Sequence, residues 1–314
     1  YEMLRSLVGS EMCIRDRQML MWGLTGPIFG AIADRYGGHV AIISSFIFYT
    51  LGVYFLYSGP NTGIFFQIHL GLLIGIGLGG TAISIPMSIV GKHFPLSTRT
   101  IAMSIVTAVG SFGYFISPIF TNYSLIKYGW NYTLFLFSLF LVTGLIAAFF
   151  VRSPKDNEII ENRSDQSLKE ALSEALQSKS YILLVSGFFV CGFHITLVGT
   201  HVPKYVIDRG LEDWTAAAIL SLIGLFNIFG SLLSGYLSSI MSKKIILSVI
   251  YTLRGISIIL FIFLPASNIN AFIFGASFGF LWLSTVPATS AIVAHIFGTK
   301  YLGLIYGLVF LSHQ

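Results

Sequence analysis

Charged residues are scarce in this chain, and they fall in clusters. Asp, Glu, Lys and Arg make up 10% of the 314 residues, against about 25% in a typical soluble domain. The longest stretches without any of them run from Arg35 to Lys92, from Asp213 to Lys243 and from Arg254 to Lys300. An ordinary soluble domain is therefore excluded, and helices that cross a bilayer are predicted, since about 20 apolar residues span its core.

Cysteines and catalytic motifs are scarce as well. Cys13 and Cys191 are the two cysteines, which offer neither a disulfide framework nor metal-ligand spacing. The sequence has no G-x-x-x-x-G-K-[ST] loop for nucleotide phosphates and no nucleophile–base motif. We therefore expect no catalytic residue, no cofactor and no metal. A membrane enzyme or sensor without transport is the least favoured interpretation.

What the chain does contain is long, continuous apolar segments. Hydrophobic residues make up 55% of it, with 32 glycines and 28 phenylalanines. A membrane β-barrel would instead alternate polar and apolar residues. We predict ten membrane-spanning helices, at 18–33, 40–57, 63–91, 100–124, 130–151, 181–203, 214–240, 245–264, 271–297 and from 301 onward.

Two further segments shape the predicted organisation. The polar segment 152–180 separates five predicted spans from five and is expected to link an N-terminal bundle, 18–151, to a C-terminal bundle, 181–314. Within it, Ser167–Leu172 has the pattern of a short amphipathic helix. Residues 1–17 mix charges with short apolar runs and resemble a translated sequencing adapter. We predict that they are a non-native leader and that the chain is a fragment open at both ends.

Lysine and arginine are distributed unequally between alternate loops, with eleven on one side and three on the other. Because basic loop residues are retained in the cytoplasm, the richer side is predicted to be cytoplasmic. It holds Arg35, Lys92, Arg99, Arg152, Lys155, Arg163, Lys169, Lys179, Lys243, Lys244 and Lys300. Topology thus explains the net charge of +5. We expect the lipid bilayer, and no nucleic acid, as a partner.

The segment Gly30–His39 follows the first predicted span. Gly26 and Gly30 lie four residues apart and leave one helix face without side chains, which allows close helix packing. The Gly37-Gly38 pair permits a tight reversal into the next helix. Taken alone, the segment fits a simple polar turn equally well.

A related segment begins at Gly235 and closes with the basic pair Lys243-Lys244. Gly235 corresponds to Gly30, and Ser239 occupies the position of Asp34. Two corresponding segments in the two halves of the chain indicate an internal repeat.

These features resemble the major facilitator superfamily of secondary transporters. Gly30–His39 matches its loop signature, G-x-x-x-D-[RK]-x-G-[RKG]-[RKH]. The resemblance implies an all-α membrane fold of two pseudo-symmetric bundles, with ten of twelve helices present. Residues 1–17 replace the first helix, and the chain ends within the eleventh. It also implies that Asp34 and Arg35 form charge contacts at the cytoplasmic face that favour one transport conformation.

Within the superfamily, the second half is similar to bacterial monocarboxylate and oxalate–formate permeases, in Gly187–His194, Leu222–Asn227 and Leu281–Pro287. This similarity implies a monomer in the bacterial plasma (inner) membrane. It would move a small organic anion, such as a monocarboxylate, by proton symport or by exchange. The alternative is an exporter of lipophilic drugs or aromatic compounds on the same fold, which would suit the many phenylalanines.

Arg254 is a charged residue deep inside a predicted span, about 15 Å from Lys244 by helix rise. Its insertion costs about 2.5–3.5 kcal/mol, so a function is expected. One hypothesis is direct binding of an anionic substrate, bidentate for a carboxylate. The other is structural: Arg254 bonds the carbonyls of broken helices nearby, as the peripheral place of the ninth helix in the resembled fold favours.

Other polar residues in the predicted spans are candidates for substrate binding or proton coupling. His194 and His313 could carry a proton, and the resemblance places both on helices that line the transport cavity. The candidate wall residues are Asn227, Trp282 and Thr285. For each of these residues the alternative is ordinary packing. The prolines expected to kink or loosen helices are Pro86, Pro118 and Pro287.

Overall fold

The computed structural model describes residues 2–60, 62–151 and 166–314, with side chains from residue 14 onward. Cys13 and most of the predicted linker lie outside this description. The α-helices are α1 (Glu2–Tyr36), α2 (Gly38–Ser58), α3 (Gly63–Phe66), α4 (Ile74–Thr81), α5 (Ser84–His93), α6 (Leu96–Ala148), α7 (Leu168–Gln177), α8 (Lys179–Asp208), α9 (Asp213–Ile240), α10 (Lys243–Phe263), α11 (Asn268–Leu281), α12 (Thr285–Phe297) and α13 (Leu302–His313). A π-helical segment, Gln67–Leu73, joins α3 to α4.

Seven helices of the described part are long and apolar enough to cross a membrane. They are Gly38–Ser58, Gly63–His93, Leu96–Ala148, Lys179–Asp208, Asp213–Ile240, Lys243–Phe263 and Asn268–Phe297. The 53-residue helix α6 is interrupted at Gly129, whose φ of 78° suits glycine, and thus contains two predicted spans. The first and last predicted spans lie in α1 and α13. Every predicted span therefore has a helical counterpart.

Large apolar side chains lie on the outside of these helices. Leu183 and Phe189 in α8 are 72% and 59% exposed, and Phe263 at the end of α10 is 84% exposed. Extended apolar surface of this kind is unfavourable in water and is what helices present to lipid. It supports the predicted membrane location.

The described residues form two compact units that do not follow sequence order. One lies within Tyr1–His93, Ser124–Val185 and Phe297–Gln314, and the other within Phe94–Tyr123 and Ser186–Ile296. Buried residues such as Phe29, Ala41 and Ile85 form a core in the first unit, and Ile219, Ile223 and Phe278 form one in the second. The predicted division into bundles of consecutive helices stays a prediction.

The predicted amphipathic helix of the linker is confirmed as α7. Ser167 and Glu170 form a capping box: the hydroxyl of Ser167 accepts from the N–H of Glu170, and Glu170 Oε2 accepts from the N–H of Ser167 at 2.8 Å. Just before α7, the carbonyl of Gln166 accepts hydrogen bonds from Lys300 Nζ at 2.9 Å and from the Tyr301 hydroxyl at 3.0 Å. The entry into α7 is thereby tied to the start of α13.

The capping box gives α7 a predictable pH dependence. Hydrogen bonds from the backbone and side chain of Ser167 lower the pKa of Glu170. The cap therefore acts fully above the ordinary glutamate pKa and is lost as the pH falls through the lowered folded value. We expect residues 166–177 of Glu170→Gln to exchange deuterium faster than wild type at about pH 7, and this difference to shrink as the pH falls below the ordinary glutamate pKa. A difference that persists in acid would contradict this role.

Candidate functional site

The predicted gating segment places a carboxylate at the start of a distant helix. Asp34 lies in the last turns of α1, and its side chain is buried. Its two oxygens accept hydrogen bonds from the backbone N–H groups of Gly303 at 3.1 Å and Leu304 at 2.8 Å. These groups lie in the first turn of α13, which lacks internal acceptors and carries the positive end of the helix dipole. Asp34 therefore caps α13 across 269 residues of sequence.

Lys92 completes this site with an ion pair, its Nζ lying 2.6 Å from Oδ1 of Asp34. Burial raises the pKa of Asp34, while Lys92 and the two backbone N–H groups act in the opposite direction. Arg35, predicted to share in the charge contacts, is exposed, with its guanidinium 5.3 Å from the centroid of the Tyr36 ring. The sequence gives one signal for Lys92 as a partner of Asp34. Lys92 directly follows the predicted span 63–91, on the membrane side that is predicted to be cytoplasmic, where Asp34 also lies.

Gly30 lies where α1 crosses α13. A Cβ atom on Gly30 would overlap the carbonyl group of Gly303, and one on Gly307 would lie 2.9 Å from Cα of Pro27. The bare helix face predicted for α1 is thus confirmed as a contact of backbone on backbone. The reversal at Gly37-Gly38 is also confirmed: Gly37 has a φ of 97°, and α2 begins at the next residue.

The second copy of the segment shares the close crossing but not the charged cap. A Cβ atom on Gly235 in α9 would overlap the side chain of Ser104 in α6. Ser239, at the position of Asp34, donates its hydroxyl locally to the carbonyl of Tyr236 at 2.6 Å. The Lys243-Lys244 pair begins α10. Gly30 and Gly235 therefore have matching structural roles, as the internal repeat predicts.

Two predicted spans are interrupted just before a proline. The first break separates α4 from α5 before Pro86, and the second separates α11 from α12 before Pro287. Proline has no N–H, so the carbonyl four residues earlier loses its helical donor, which explains both breaks. At Pro118 the helix α6 continues without a non-helical residue, and the predicted kink or loosening there stays a prediction.

Arg254 is completely buried and binds the second break. Its Nε and Nη2 donate to the carbonyl of Leu281 at 2.9 and 2.7 Å, and Nη2 also donates to the carbonyl of Trp282. These carbonyls end α11, where the helix dipole places partial negative charge. The guanidinium thus faces the backbone of a broken helix. This geometry favours the anchoring role over direct contact with a substrate.

The other partners of Arg254 are neutral. Nη1 donates to Sγ of Cys191 at 3.0 Å, and Oγ1 of Thr285 lies 3.4 Å from Nη2 and 3.3 Å from that sulfur. The guanidinium lies 5.6 Å from the centroid of the Tyr251 ring. Within the described part of the chain, no carboxylate pairs with Arg254. Among the described residues, the groups facing this buried charge are therefore carbonyl dipoles and neutral side chains.

Asn227 and Ser234, both in α9, bind the same break. Oδ1 of Asn227 accepts from the N–H of Leu283 at 2.8 Å, and its Nδ2 donates to Oγ of Ser111 at 2.6 Å. The hydroxyl of Ser234 donates to the carbonyl of Ser284 at 2.5 Å. Each of residues 281–284 thus has one backbone group that is bonded to a side chain from α9 or α10.

Trp282, predicted as a wall residue, lies at this break and is 4% exposed. Its ring packs edge-on against Phe278 with centroids 5.5 Å apart and lies 5.9 Å from the Tyr114 ring. A Cβ atom on Gly199 in α8 would be 3.8 Å from Cη2 of Trp282 and 3.9 Å from the hydroxyl of Tyr114. The indole therefore lies between α6 and α8.

The two candidate histidines lie in different units. His194 is half-buried, and its Nδ1 has no hydrogen-bond partner among the described residues. His313 is buried, stacks on Phe310 with centroids 5.2 Å apart, and has its Nδ1 3.3 Å from Nε2 of Gln314. Of the six residues predicted for substrate binding or proton coupling, four meet at the second break: Asn227, Arg254, Trp282 and Thr285.

Apolar helices, helix breaks and a buried capping carboxylate define a multi-pass integral membrane protein. Residues 18–314 match the model of the Major Facilitator Superfamily, and the chain belongs to this family. It is therefore a membrane transporter and not an enzyme. The Escherichia coli fucose:proton symporter FucP has the same fold, with a TM-score of 0.76 at 13% identity over 98% of this chain and 82% of that chain.

The curated relatives that match this chain differ in the functions that their names give. An uncharacterized MFS-type transporter of Bacillus subtilis, YcxA, is 24% identical over 99% of this chain and 76% of its own. Monocarboxylate transporter 6 of Mus musculus is 24% identical over 74% of this chain and 54% of its own. The fujikurins efflux protein of Gibberella fujikuroi is 28% identical over 93% and 61%. The chain thus spans between half and three quarters of these relatives.

Proposed function

We propose that this transporter moves a small organic anion, such as a monocarboxylate, by alternating access with proton symport or exchange. The observation that carries the proposal is the buried charge of Arg254, with which no carboxylate of the described residues pairs. Its hydrogen-bond partners are carbonyls, a thiol and a hydroxyl, and the ten predicted spans contain no Asp or Glu. A buried cation that no described carboxylate neutralises makes its surroundings attractive to anions and repels cations.

The size of this effect is large enough to matter for selection. Two unit charges about 8 Å apart attract each other by about 2 kcal/mol at an effective dielectric constant of about 20. That corresponds to roughly thirtyfold in binding. Arg254 can therefore favour an anion through its field while its hydrogen bonds stay on the broken helix. The similarity to a mouse monocarboxylate transporter supports the same substrate class.

His194 and His313 are the groups that we propose for proton coupling. Each is an imidazole in a predicted span, where ionisable side chains are rare and mark proton pathways, and histidine is a common proton shuttle. Purified protein in proteoliposomes should take up labelled formate, lactate or pyruvate faster when the lumen is alkaline. Exchange would instead show as uptake driven by unlabelled carboxylate inside. Absence of both effects would refute the proposal.

Variants of Arg254 test whether charge selects the substrate. Arg254→Lys keeps the charge, so the preference for lactate over the neutral analogue 1,2-propanediol is expected to persist. Arg254→Met keeps much of the volume without the charge and should reduce this preference by at least about tenfold. Competition against labelled lactate uptake measures it. Equal preference in wild type and Arg254→Met would mean that the anion is selected elsewhere.

The second candidate function is export of lipophilic or aromatic compounds, favoured by the 28% identity with a fujikurins efflux protein and by the 28 phenylalanines. Such an exporter should accumulate a hydrophobic dye in the lumen of inverted vesicles, or clear it from intact cells, and should ignore lactate. Carboxylate uptake without dye transport would favour the anion carrier.

A further inference from the structure

The break between α11 and α12 is held by side chains of other helices. Arg254 in α10 binds the carbonyls of Leu281 and Trp282. Asn227 in α9 binds the N–H of Leu283. An isolated break at a proline would leave these groups without partners in an apolar interior, which is unfavourable. The side chains therefore satisfy the break and also fix its orientation.

Because Trp282 is part of this break, the orientation of the break also sets the position of its indole ring. Its backbone is held on both sides, since its N–H donates to the carbonyl of Gly279 at 3.0 Å and its own carbonyl accepts from Arg254. From this held backbone, the ring extends to Tyr114 and to Gly199, where the missing side chain leaves room for it. The pose of this ring thus depends on a residue in a different helix.

The planar guanidinium is suited to this task. It reaches two successive carbonyls and a thiol at once, because its five N–H groups form a rigid fork. A lysine ammonium would carry the same charge, but as a point, and could not hold both carbonyls in one geometry. Charge and shape can therefore be tested separately at this position.

We infer that Arg254 is a positioning residue that, together with Asn227, sets the pose of Trp282, and that Trp282 with Gly199 forms a wall that selects the substrate by size. The specificity part of this inference rests on the proposed function. The positioning part depends only on the second unit and can be measured without any substrate.

The test uses Trp282 as its own reporter. Replacing Trp22, Trp130 and Trp214 by Phe leaves it as the single tryptophan of the four. In Arg254→Lys, we expect Trp282 emission to move to longer wavelength and acrylamide quenching to increase by at least about twofold, because the released break exposes the ring. The matched control is Arg209→Lys, an exposed arginine whose Nη2 donates to the Tyr205 hydroxyl, and it should leave both readouts unchanged.

Transport kinetics give the second readout. Arg254→Lys should raise the lactate KM by about fivefold, with kcat per folded molecule within about twofold. Gly199→Ala should change the ratio of lactate to formate uptake and leave the Trp282 emission in place. A role in folding alone would lower the yield of protein without this split between KM and kcat.

The outcomes separate the two ideas. Unchanged Trp282 emission in folded Arg254→Lys overturns the positioning role, whatever is transported. A shifted emission without uptake of any carboxylate keeps the positioning role and refutes the proposed substrate class. If Arg254→Lys does not fold, Asn227→Ala releases the break from the other helix, and the same emission shift is required of it.

Discussion

Asp34→Asn should lower the initial rate of transport by at least about tenfold, with the protein still inserted in the membrane. The variant keeps the size of the side chain and loses the charge that pairs with Lys92 and caps α13. Breaking a buried ion pair by removing one partner costs about 3–5 kcal/mol. The conformation that contains this cap would lose most of its population. Uptake per folded molecule, with folding checked by size-exclusion profile, measures the effect.

The internal repeat supplies the control for this variant. Ser239 occupies the position of Asp34 in the second copy and makes only a local bond, so Ser239→Asn should transport normally. In the double variant Asp34→Asn/Lys92→Met, no unpaired ammonium is left buried, and we expect a smaller loss than the two single losses together. Simple addition of the two effects would show that the ion pair does not act as a unit.

Gly30→Ala should lower the thermal midpoint by at least about 5 °C, because the added methyl group has no room between α1 and α13. The added Cβ would overlap the carbonyl group of Gly303, which is backbone and cannot rotate away. Gly187→Ala in α8 is the matched control, because nothing lies within 4 Å of its added Cβ. Alanine is the better helix former, so the control should be neutral or slightly stabilising. Equal midpoints would mean that α1 and α13 are not in close contact.

The membrane spans were predictable because lipid imposes a simple rule on composition. Every stretch without Asp, Glu, Lys or Arg that was assigned to a span contains a helix, and the boundary near Lys127 coincides with the interruption at Gly129. The Gly30–His39 signature also predicted the close crossing and the turn. These features are local, and a local pattern is sufficient to predict them.

The partners of the buried charges were not predictable in the same way. Lipid and protein interiors are both apolar, so hydropathy does not tell which face of a membrane helix packs on another helix. Lys92 and the start of α13 meet Asp34 from 58 and 269 residues away. For Arg254, the neighbouring carbonyls became available only because α11 ends before Pro287. The sequence left two roles open, and the geometry favours one.

The bond between Gln166 and the Lys300-Tyr301 pair has a mechanical consequence. Residues 300–303, at the start of α13, bind two distant groups: Lys300 and Tyr301 bind the carbonyl of Gln166, and the N–H of Gly303 binds the carboxylate of Asp34. Because hydrogen bonds connect the start of α13 to the residues just before α7, a displacement of α13 should also move α7. The position of α7 should therefore change when the Asp34 cap on α13 forms or breaks. A spectroscopic label on the exposed face of α7 would report this change without touching the transport path.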